Sequence, residues 1–162
     1  MKIKTRHVPL ERWSVTSSRQ FDEVVAALEC AIGHPDIKAL LTEAEAGSLG
    51  EMKTIIERAL GPAGFMEFIR FDPYKIVAKE IEGAPRIRRF VIGNPLVMME
   101  MVKRVPDAAS YAPVIILVME DGESVRLIRH NGEPHRALRQ QRDVSGSSRS
   151  RREHRTLLRD IA

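Results

Sequence analysis

The stretch VIILVMEDGESVRLIRH (114–130) decides the fold. Its first six residues form a continuous apolar run, which is typical of a central strand. Asp121-Gly122 follows and strongly predicts a tight hairpin turn, because Asp and Gly accept the backbone angles that such a turn requires. The segment 124–130 then predicts the returning strand. We therefore expect an antiparallel hairpin at the C-terminal end of the folded body.

The segment before this hairpin, FVIGNPLVMMEMVKRVP (90–106), predicts a strand that passes directly into a helix. Asn94 is a favoured N-cap, and Pro95 suits the first helical position because its missing N–H is not needed there. Helical spacing places four apolar residues on one face, Met98, Met101, Val102 and Val105. The opposite face carries three charged residues, Glu100, Lys103 and Arg104. The methionines are therefore expected to fill the core rather than to bind a soft metal.

The first ninety residues predict further strands and helices. Helical spacing marks 21–32, where Ser17 or Ser18 is the expected cap, and 48–60, which begins with the capping box of Ser48 and Glu51. Other predicted elements are a strand at 7–18 with an irregularity near Glu11-Arg12, strands at 64–72 and 86–93, and a short helix at 73–81. Residues 34–47 leave open one more helical piece. This order predicts an α+β fold with two layers, in which helices pack on one face of a largely antiparallel sheet.

The composition predicts one cytoplasmic domain. The chain has 162 residues, and the 43% that are hydrophobic suffice for a core. It contains no run of about 18 apolar residues and no apolar N-terminal signal, so neither a membrane span nor export is expected. The single cysteine, Cys30, excludes an internal disulfide and suits a reducing compartment. We expect a domain at 1–133 and an arginine-rich tail, partly helical or disordered, at 134–162.

The positive charge is concentrated in this tail. Residues 136–162 carry eight arginines and three acidic residues, a net charge of +5, which leaves −1 for the remainder. The tail could bind nucleic acid or an acidic protein electrostatically. The arginines best placed for such contacts are Arg149, Arg151, Arg152 and Arg155. The tail lacks the aromatic residues that stack on bases, and the alternative is a solvated segment without a partner.

Gly93-Asn94-Pro95 is also the candidate ligand site. Main-chain N–H groups at a helix start attract anions, and glycine lets a ligand approach the backbone closely. Asp72 and His130 can supply hydrogen bonds, and Arg88 can supply positive charge. The alternative is that Asn94 and Asp72 are only helix caps. If Asp72 and His130 share one pocket, they could act as acid and base in a small enzyme. The scattered histidines and Cys30 lack metal-ligand spacing, so no metal and no cofactor are expected.

The chain from Phe90 to Asn131 resembles the bacterial and archaeal family called domain of unknown function 302. The likeness rests on a set of motifs in the right order and separation: FVIGNP (90–95), prolines at 106 and 113, LVMEDG (117–122) and HN at 130–131. Similarity of the first helix and second strand extends it to residues 8–131. On this alignment 34–62 looks like an insertion that carries an extra helix.

The resemblance implies a compact α+β domain, commonly a homodimer, with no established activity. The chain departs from the family pattern at polar positions: Pro73 replaces a common histidine, Met99 a threonine and His130 a tyrosine. Together, the resemblance and the residues predict a ligand-binding or regulatory module. We expect it to act as a homodimer on a small-molecule or anionic ligand.

Overall fold

The computed structural model describes residues 3, 5, 10–132 and 156–162, which form a five-stranded sheet with helices packed on it. The strands lie in the order β1-β5-β4-β3-β2, and each of these four pairings is antiparallel. Their bounds are β1 Leu10–Ser17, β2 Met66–Phe71, β3 Ile87–Gly93, β4 Val114–Asp121 and β5 Ser124–Gly132. The α+β class and the antiparallel sheet predicted from the sequence are confirmed.

The helices occupy the connections between these strands. They are α1 Phe21–Ala31, α2 Ile37–Ala46, α3 Leu49–Ala59, α4 Tyr74–Val77 and α5 Pro95–Val102, followed by a 3₁₀ helix at Pro106–Tyr111. Residues 156–161 are also helical and are called α6. None of the helices in the described ranges is long and apolar enough to cross a membrane.

The hairpin of β4 and β5 has the predicted form. Asp121 pairs with Ser124 across a two-residue turn, and Gly122 adopts a φ of +62°. A side chain would be strained in this left-handed conformation, so glycine is needed there. The pairing continues from this turn to Ile116 and Arg129, which places β5 between β4 and the edge strand β1.

One face of the sheet, here called the inner face, carries the main core. Alternate residues of the three central strands point into it: Phe90 and Ile92, Ile116 and Val118, and Val125 and Leu127. Helix α1 covers them with Val24 and Leu28, which are fully buried. Burying a side chain of this size contributes about 1.5–3 kcal/mol, so this layer supplies much of the stabilisation.

The irregularity predicted near Glu11-Arg12 is absent from β1, and the sheet has a different one in β2. Strand β1 pairs with β5 without a break in register, from Leu10 opposite Gly132 to Ser17 opposite Val125. In β2 the register shifts between Glu67 and Ile69, which makes Phe68 an extra residue. Because of this bulge, residues 67 and 70 both face inward, whereas in a regular strand they would face opposite sides.

Helices α2 and α3 form a second, smaller core with the start of β2, in which Leu40, Ile56 and Met66 are buried. The side chain of Asp36 caps α2, which resolves the ambiguous segment as a helix. Helix α3 begins with the predicted capping box: the N–H of Ser48 donates to Glu51 at 2.7 Å, and the N–H of Glu51 donates to the Ser48 hydroxyl at 3.4 Å.

Two predicted details of the helices are wrong. Helix α1 starts after Gln20, whose N–H donates to the Glu23 carboxylate at 3.0 Å, so neither Ser17 nor Ser18 caps it. Ser17 instead ends β1 as a buried residue. Helix α4 is shorter than the predicted 73–81 because the chain turns after Val77.

The end of the chain is part of the core rather than an appendage. Leu157, Leu158 and Ile161 are buried against the inner face with the residues of α1 and β5. The Ser17 hydroxyl donates to the main-chain oxygen of Ala162, and Arg19 Nη1 donates to that of Ile161 at 3.0 Å. The tail predicted at 134–162 therefore ends in a structural helix. The tail arginines named above, Arg149, Arg151, Arg152 and Arg155, lie outside the described residues.

Candidate functional site

The start of α5 is closed by its own cap. Asn94 Oδ1 accepts hydrogen bonds from the N–H groups of Leu96, at 2.9 Å, and Val97, at 3.4 Å. The N–H of Met98 donates to the Asn94 carbonyl, and Pro95 has no N–H. The Asn94 amide also donates to the carbonyl of Gly64 at 3.0 Å, which holds the side chain in place. The N–H groups of Leu96, Val97 and Met98 in the first turn of the helix are thus already occupied.

Gly93 has a packing explanation as well. A Cβ atom at this position would lie 3.0 Å from the Phe68 ring and 3.3 Å from Pro113 Cβ. The glycine therefore allows the bulged strand β2 and the start of β4 to approach β3 closely. Its close neighbours account for the glycine without a ligand.

Asp72 and Arg88 come together at the opposite end of these strands. Arg88 Nη2 lies 3.4 Å from Asp72 Oδ2, and Arg88 Nη1 lies 3.8 Å from Glu29 Oε1 of α1. Arg88 lies five residues before Gly93 along β3, a distance of about 17 Å at about 3.4 Å per residue. Asp72 and Arg88 thus do not share a site with Gly93-Asn94-Pro95.

His130 lies on β5, three strands away across the sheet from the end of β2, where Asp72 is located. It is exposed, and its Nε2 accepts a hydrogen bond of 2.9 Å from Arg12 Nε on the neighbouring edge strand. Strands β3 and β4 stand between the strands that carry the two residues, a separation of about 14 Å at about 4.8 Å per strand. Asp72 and His130 therefore cannot work as an acid–base pair on one substrate.

A cluster of charged side chains joins α1 to the edge strand β2. Arg70 contacts Glu67 at 2.7 and 3.1 Å and also pairs with Glu29 of α1. Glu67 raises the pKa of the Arg70 guanidinium, and the guanidinium also stacks 5.0 Å from the centroid of the Phe90 ring. His34 Nδ1 lies 3.1 Å from Glu67. Each charge here has an opposite partner, so the cluster fastens α1 to the sheet and leaves no free group for chemistry.

Arg129 differs from these arginines, and it is not among the site residues predicted from the sequence. It lies on the inner face of β5, opposite Trp13 of β1, and only 4% of its surface is exposed. Its Nε and Nη1 atoms are buried and have no hydrogen-bond partner among the described residues. Burial lowers the pKa of its guanidinium to about 10. Alternation in SVRLIRH could have identified it, since residue 129 shares a face with Val125 and Leu127.

The side of the sheet opposite the inner face is here called the outer face. Its apolar residues are Ile69, Phe71, Ile87, Val91, Ile115, Leu117, Met119 and Ile128. Ile69 is 48% exposed, Phe71 43% and Ile115 36%. Ile69 pairs with Val91, which pairs with Ile115, so an apolar row crosses three strands.

The described residues also form an open groove of about 490 Å³ between α1, residues 62–63 and α6. Three alanines, Ala27, Ala31 and Ala63, line much of it, and Thr156 and Asp160 supply polar atoms. Within the described ranges, no three side chains of His, Cys, Asp or Glu come close enough together to hold a metal ion. None of the predicted ligand residues lines this groove.

The sequence match agrees with this architecture. The family model named domain of unknown function DUF302 matches residues 41–147, well over half of the chain. The chain belongs to the DUF302 family. The match begins inside the segment 34–62 that the sequence analysis treats as an insertion.

The fold of this DUF302 protein also occurs in a solved structure. A crystal structure of an uncharacterised conserved DUF302 protein from Bacillus stearothermophilus aligns with a TM-score of 0.54. The two sequences are 14% identical, and the alignment covers 91% of this chain and 96% of the other. At that identity the likeness shows the fold alone. No curated protein matches the chain. Because the family and this neighbour are both uncharacterised, no reaction can be assigned to the DUF302 chain.

Proposed function

We propose that this DUF302 protein is a regulatory or ligand-binding module that works as a homodimer in the cytoplasm, and that two copies meet through the outer face. The observation that supports this proposal is the apolar row of Ile69, Val91 and Ile115, in which Ile69 and Ile115 are exposed and Val91 is half-buried. Continuous apolar surface of this kind is uncommon on monomers and is typical of interaction sites. The lone cysteine supports a reducing compartment.

A second copy of the chain is a suitable partner for this row, because an uncharged apolar row can pack against an identical row. A twofold axis places the same patch on both partners, so an apolar patch meets an apolar patch. The charged residues of the outer face lie beside this row: Arg89 stacks over Phe71 with 5.7 Å between guanidinium and ring centroid, and Arg126 pairs with Asp121 at 2.9 Å. These charges do not interrupt the row and would lie at the rim, where polar residues are usual.

Sedimentation velocity of the full chain tests the proposed dimer. We expect a species of twice 18.3 kDa at micromolar concentration, and a monomer when Ile69 and Ile115 are both replaced by lysine. Ile76→Lys is the matched control, because Ile76 is 75% exposed on α4 and is not part of the outer face. A monomeric wild-type chain, or an Ile69→Lys/Ile115→Lys variant that still dimerises, would reject the proposal.

The charge of the tail supports a second candidate, electrostatic binding of nucleic acid or an acidic protein. A deletion of 136–162 would be a poor test, because it removes the core residues of α6. Replacing Arg149, Arg151, Arg152 and Arg155 with glutamine keeps those residues. If the candidate is correct, anisotropy of a labelled DNA duplex will show binding that falls steeply with salt in the wild type and is lost in this variant. Replacing Lys38, Lys53, Arg58 and Lys79, which lie in the body of the chain, is the matched control, and equal losses in both variants would reject the tail as the binding element.

A further inference from the structure

Arg129 carries a charge in a place where a charge is unfavourable. Its neighbours on the inner face are Ile116 of β4 and Trp13 of β1, directly across the ladder on either side. The guanidinium lies 5.0 Å from the centre of the Trp13 ring. None of the ion pairs among the described residues includes Arg129, and two of its three guanidinium nitrogens are buried without an acceptor.

Such a side chain lowers stability unless something binds to it. Buried polar atoms in proteins almost always have hydrogen-bond partners, and a buried charge without a partner is strongly destabilising. Arginine stays protonated in this environment at neutral pH, because even the lowered pKa is well above 7. The stacking contact with the Trp13 ring offsets only part of this cost and leaves the N–H groups unsatisfied.

The surroundings of Arg129 indicate which kind of ligand could accept hydrogen bonds from its unpaired N–H groups. The unpaired N–H groups donate, so the missing partner is an acceptor, and the positive charge favours an anion. The planar guanidinium suits the paired oxygens of a carboxylate or phosphate. Trp13 is half-buried on the edge strand β1, and its Nε1 atom lies 3.3 Å from Glu11. Its ring therefore offers an apolar surface beside the charge, on the edge strand of the described sheet.

We propose that Arg129 anchors a binding site for a small oxyanion ligand, whose carboxylate or phosphate group accepts hydrogen bonds from the guanidinium while its body packs on Trp13. This site is independent of the proposed dimer, because Arg129 and the outer face lie on opposite sides of the sheet. It also differs from the predicted site at Gly93-Asn94-Pro95, whose donors are occupied.

Trp13 makes the site directly observable, since it is the only tryptophan of the chain. Titration of the full-length protein with sodium phosphate, and separately with sodium acetate and sodium malonate, should change its fluorescence with saturation. Sodium chloride at matched ionic strength should not produce this change. The phosphate and carboxylate series show which oxyanion the site prefers. A wild-type response no larger than that to chloride with all three anions overturns the proposal.

The variants Arg129→Met and Arg129→Lys test the anchor. Without added anion, Arg129→Met should melt at least about 3 °C above the wild type, because an unpaired buried charge is replaced by an apolar chain of similar length. The same variant should bind the preferred anion at least about tenfold more weakly. Arg129→Lys keeps the charge but loses the planar donor pair, and should bind with intermediate affinity.

The control is Arg126→Met, on the same strand but on the outer face, where Arg126 pairs with Asp121. It should leave the anion response unchanged. A lower melting temperature for Arg129→Met would show that the guanidinium has a structural role, and would overturn the proposal. So would equal anion binding by the wild type and Arg129→Lys, a comparison that stands even if Arg129→Met does not fold.

Discussion

Two glycines allow the main chain to approach itself closely where the end of α1 meets the end of α3. The carbonyl of Phe65 accepts hydrogen bonds from the N–H groups of both Gly33, at 2.9 Å, and Gly61, at 2.8 Å. A Cβ atom on Gly33 would lie 1.9 Å from the carbonyl oxygen of Ala59, and one on Gly61 would lie 2.3 Å from the carbonyl carbon of Ile32. Main-chain atoms cannot move aside as the end of a side chain can, so these positions exclude any larger residue.

We therefore predict that Gly33→Ala and Gly61→Ala each lower the free energy of unfolding by at least about 1–3 kcal/mol, measured by urea denaturation. Gly50→Ala is the matched control. Gly50 lies in α3 with no atom within 4 Å of its Cβ position, so alanine there should raise stability by up to about 1 kcal/mol. If Gly33→Ala and Gly61→Ala were as stable as the wild type, the two main-chain segments would not be in contact as described.

The role of a single residue can be predicted from the sequence when its partners are close by in the chain. Local patterns suffice for Asn94, because its cap bonds reach only two and three residues ahead. The ion pair of Arg88 with Asp72 depends on the pairing of β2 with β3, and the contact of Glu67 with Arg70 depends on a bulge. Neither the strand order nor the bulge follows from local spacing. Arg129 was missed for a different reason, since basic residues are normally assigned to the surface.

Among the secondary-structure elements too, those defined by residues close in sequence were predicted and those that depend on distant contacts were not. Helices α1 and α3 and the β4–β5 hairpin were predicted because their stripes, caps and turn residues are local signals. Helix α5 was expected to bury one methionine face, but Met98, Met99, Met101 and Val102 are all half-buried, because the helix packs against α3 and the 3₁₀ helix and is apolar almost all round. The tail was predicted to be partly helical, but the packing of α6 in the core was missed, because three apolar positions in a short segment give too weak a period to indicate a buried face.

Helix α1 is fastened to the sheet by ion pairs, and one of them gives a pH-dependent prediction. Asp22 pairs with Arg86, whose guanidinium stacks 4.3 Å from the centre of the Phe21 ring. The hydrogen bond from Arg86 lowers the pKa of Asp22 below its ordinary value of 3.8. A carboxylate with a lowered pKa stabilises the fold above that ordinary value, and the contribution is lost as the pH falls through the lowered pKa.

Asp22→Asn should therefore be less stable than the wild type at pH 7, and the difference should disappear as the pH falls below 3.8. The effect is small because the pair is exposed to solvent and screened by salt. Urea denaturation of both proteins at several pH values measures it. Glu45→Gln, which removes an exposed carboxylate outside the described ion pairs, controls for net charge. A difference between wild type and Asp22→Asn that stays constant from pH 7 to pH 2.5 would contradict the assigned pair.

At the scale of the whole molecule, the two faces of the sheet differ in how far they are covered. The inner face is closed by α1 and by α6, although α6 is distant from the sheet in sequence. The outer face leaves an apolar row exposed. The chain thus protects its core with its own last helix, and the proposed dimer would protect the opposite side. Both arrangements depend on contacts between distant parts of the chain or between chains, which local sequence patterns do not encode.

The role of α6 can be tested at Leu158, which is 1% exposed within the main core. Leu158→Ala should lower the free energy of unfolding by about 2–5 kcal/mol, because it removes buried apolar surface and leaves a cavity between α6 and the inner face. Leu49→Ala is the control, since Leu49 is 60% exposed at the start of α3 and should change stability little. If the end of the chain were only a solvated tail, the two variants would have the same stability. A large loss confined to Leu158→Ala would show that the last helix is an integral part of the fold.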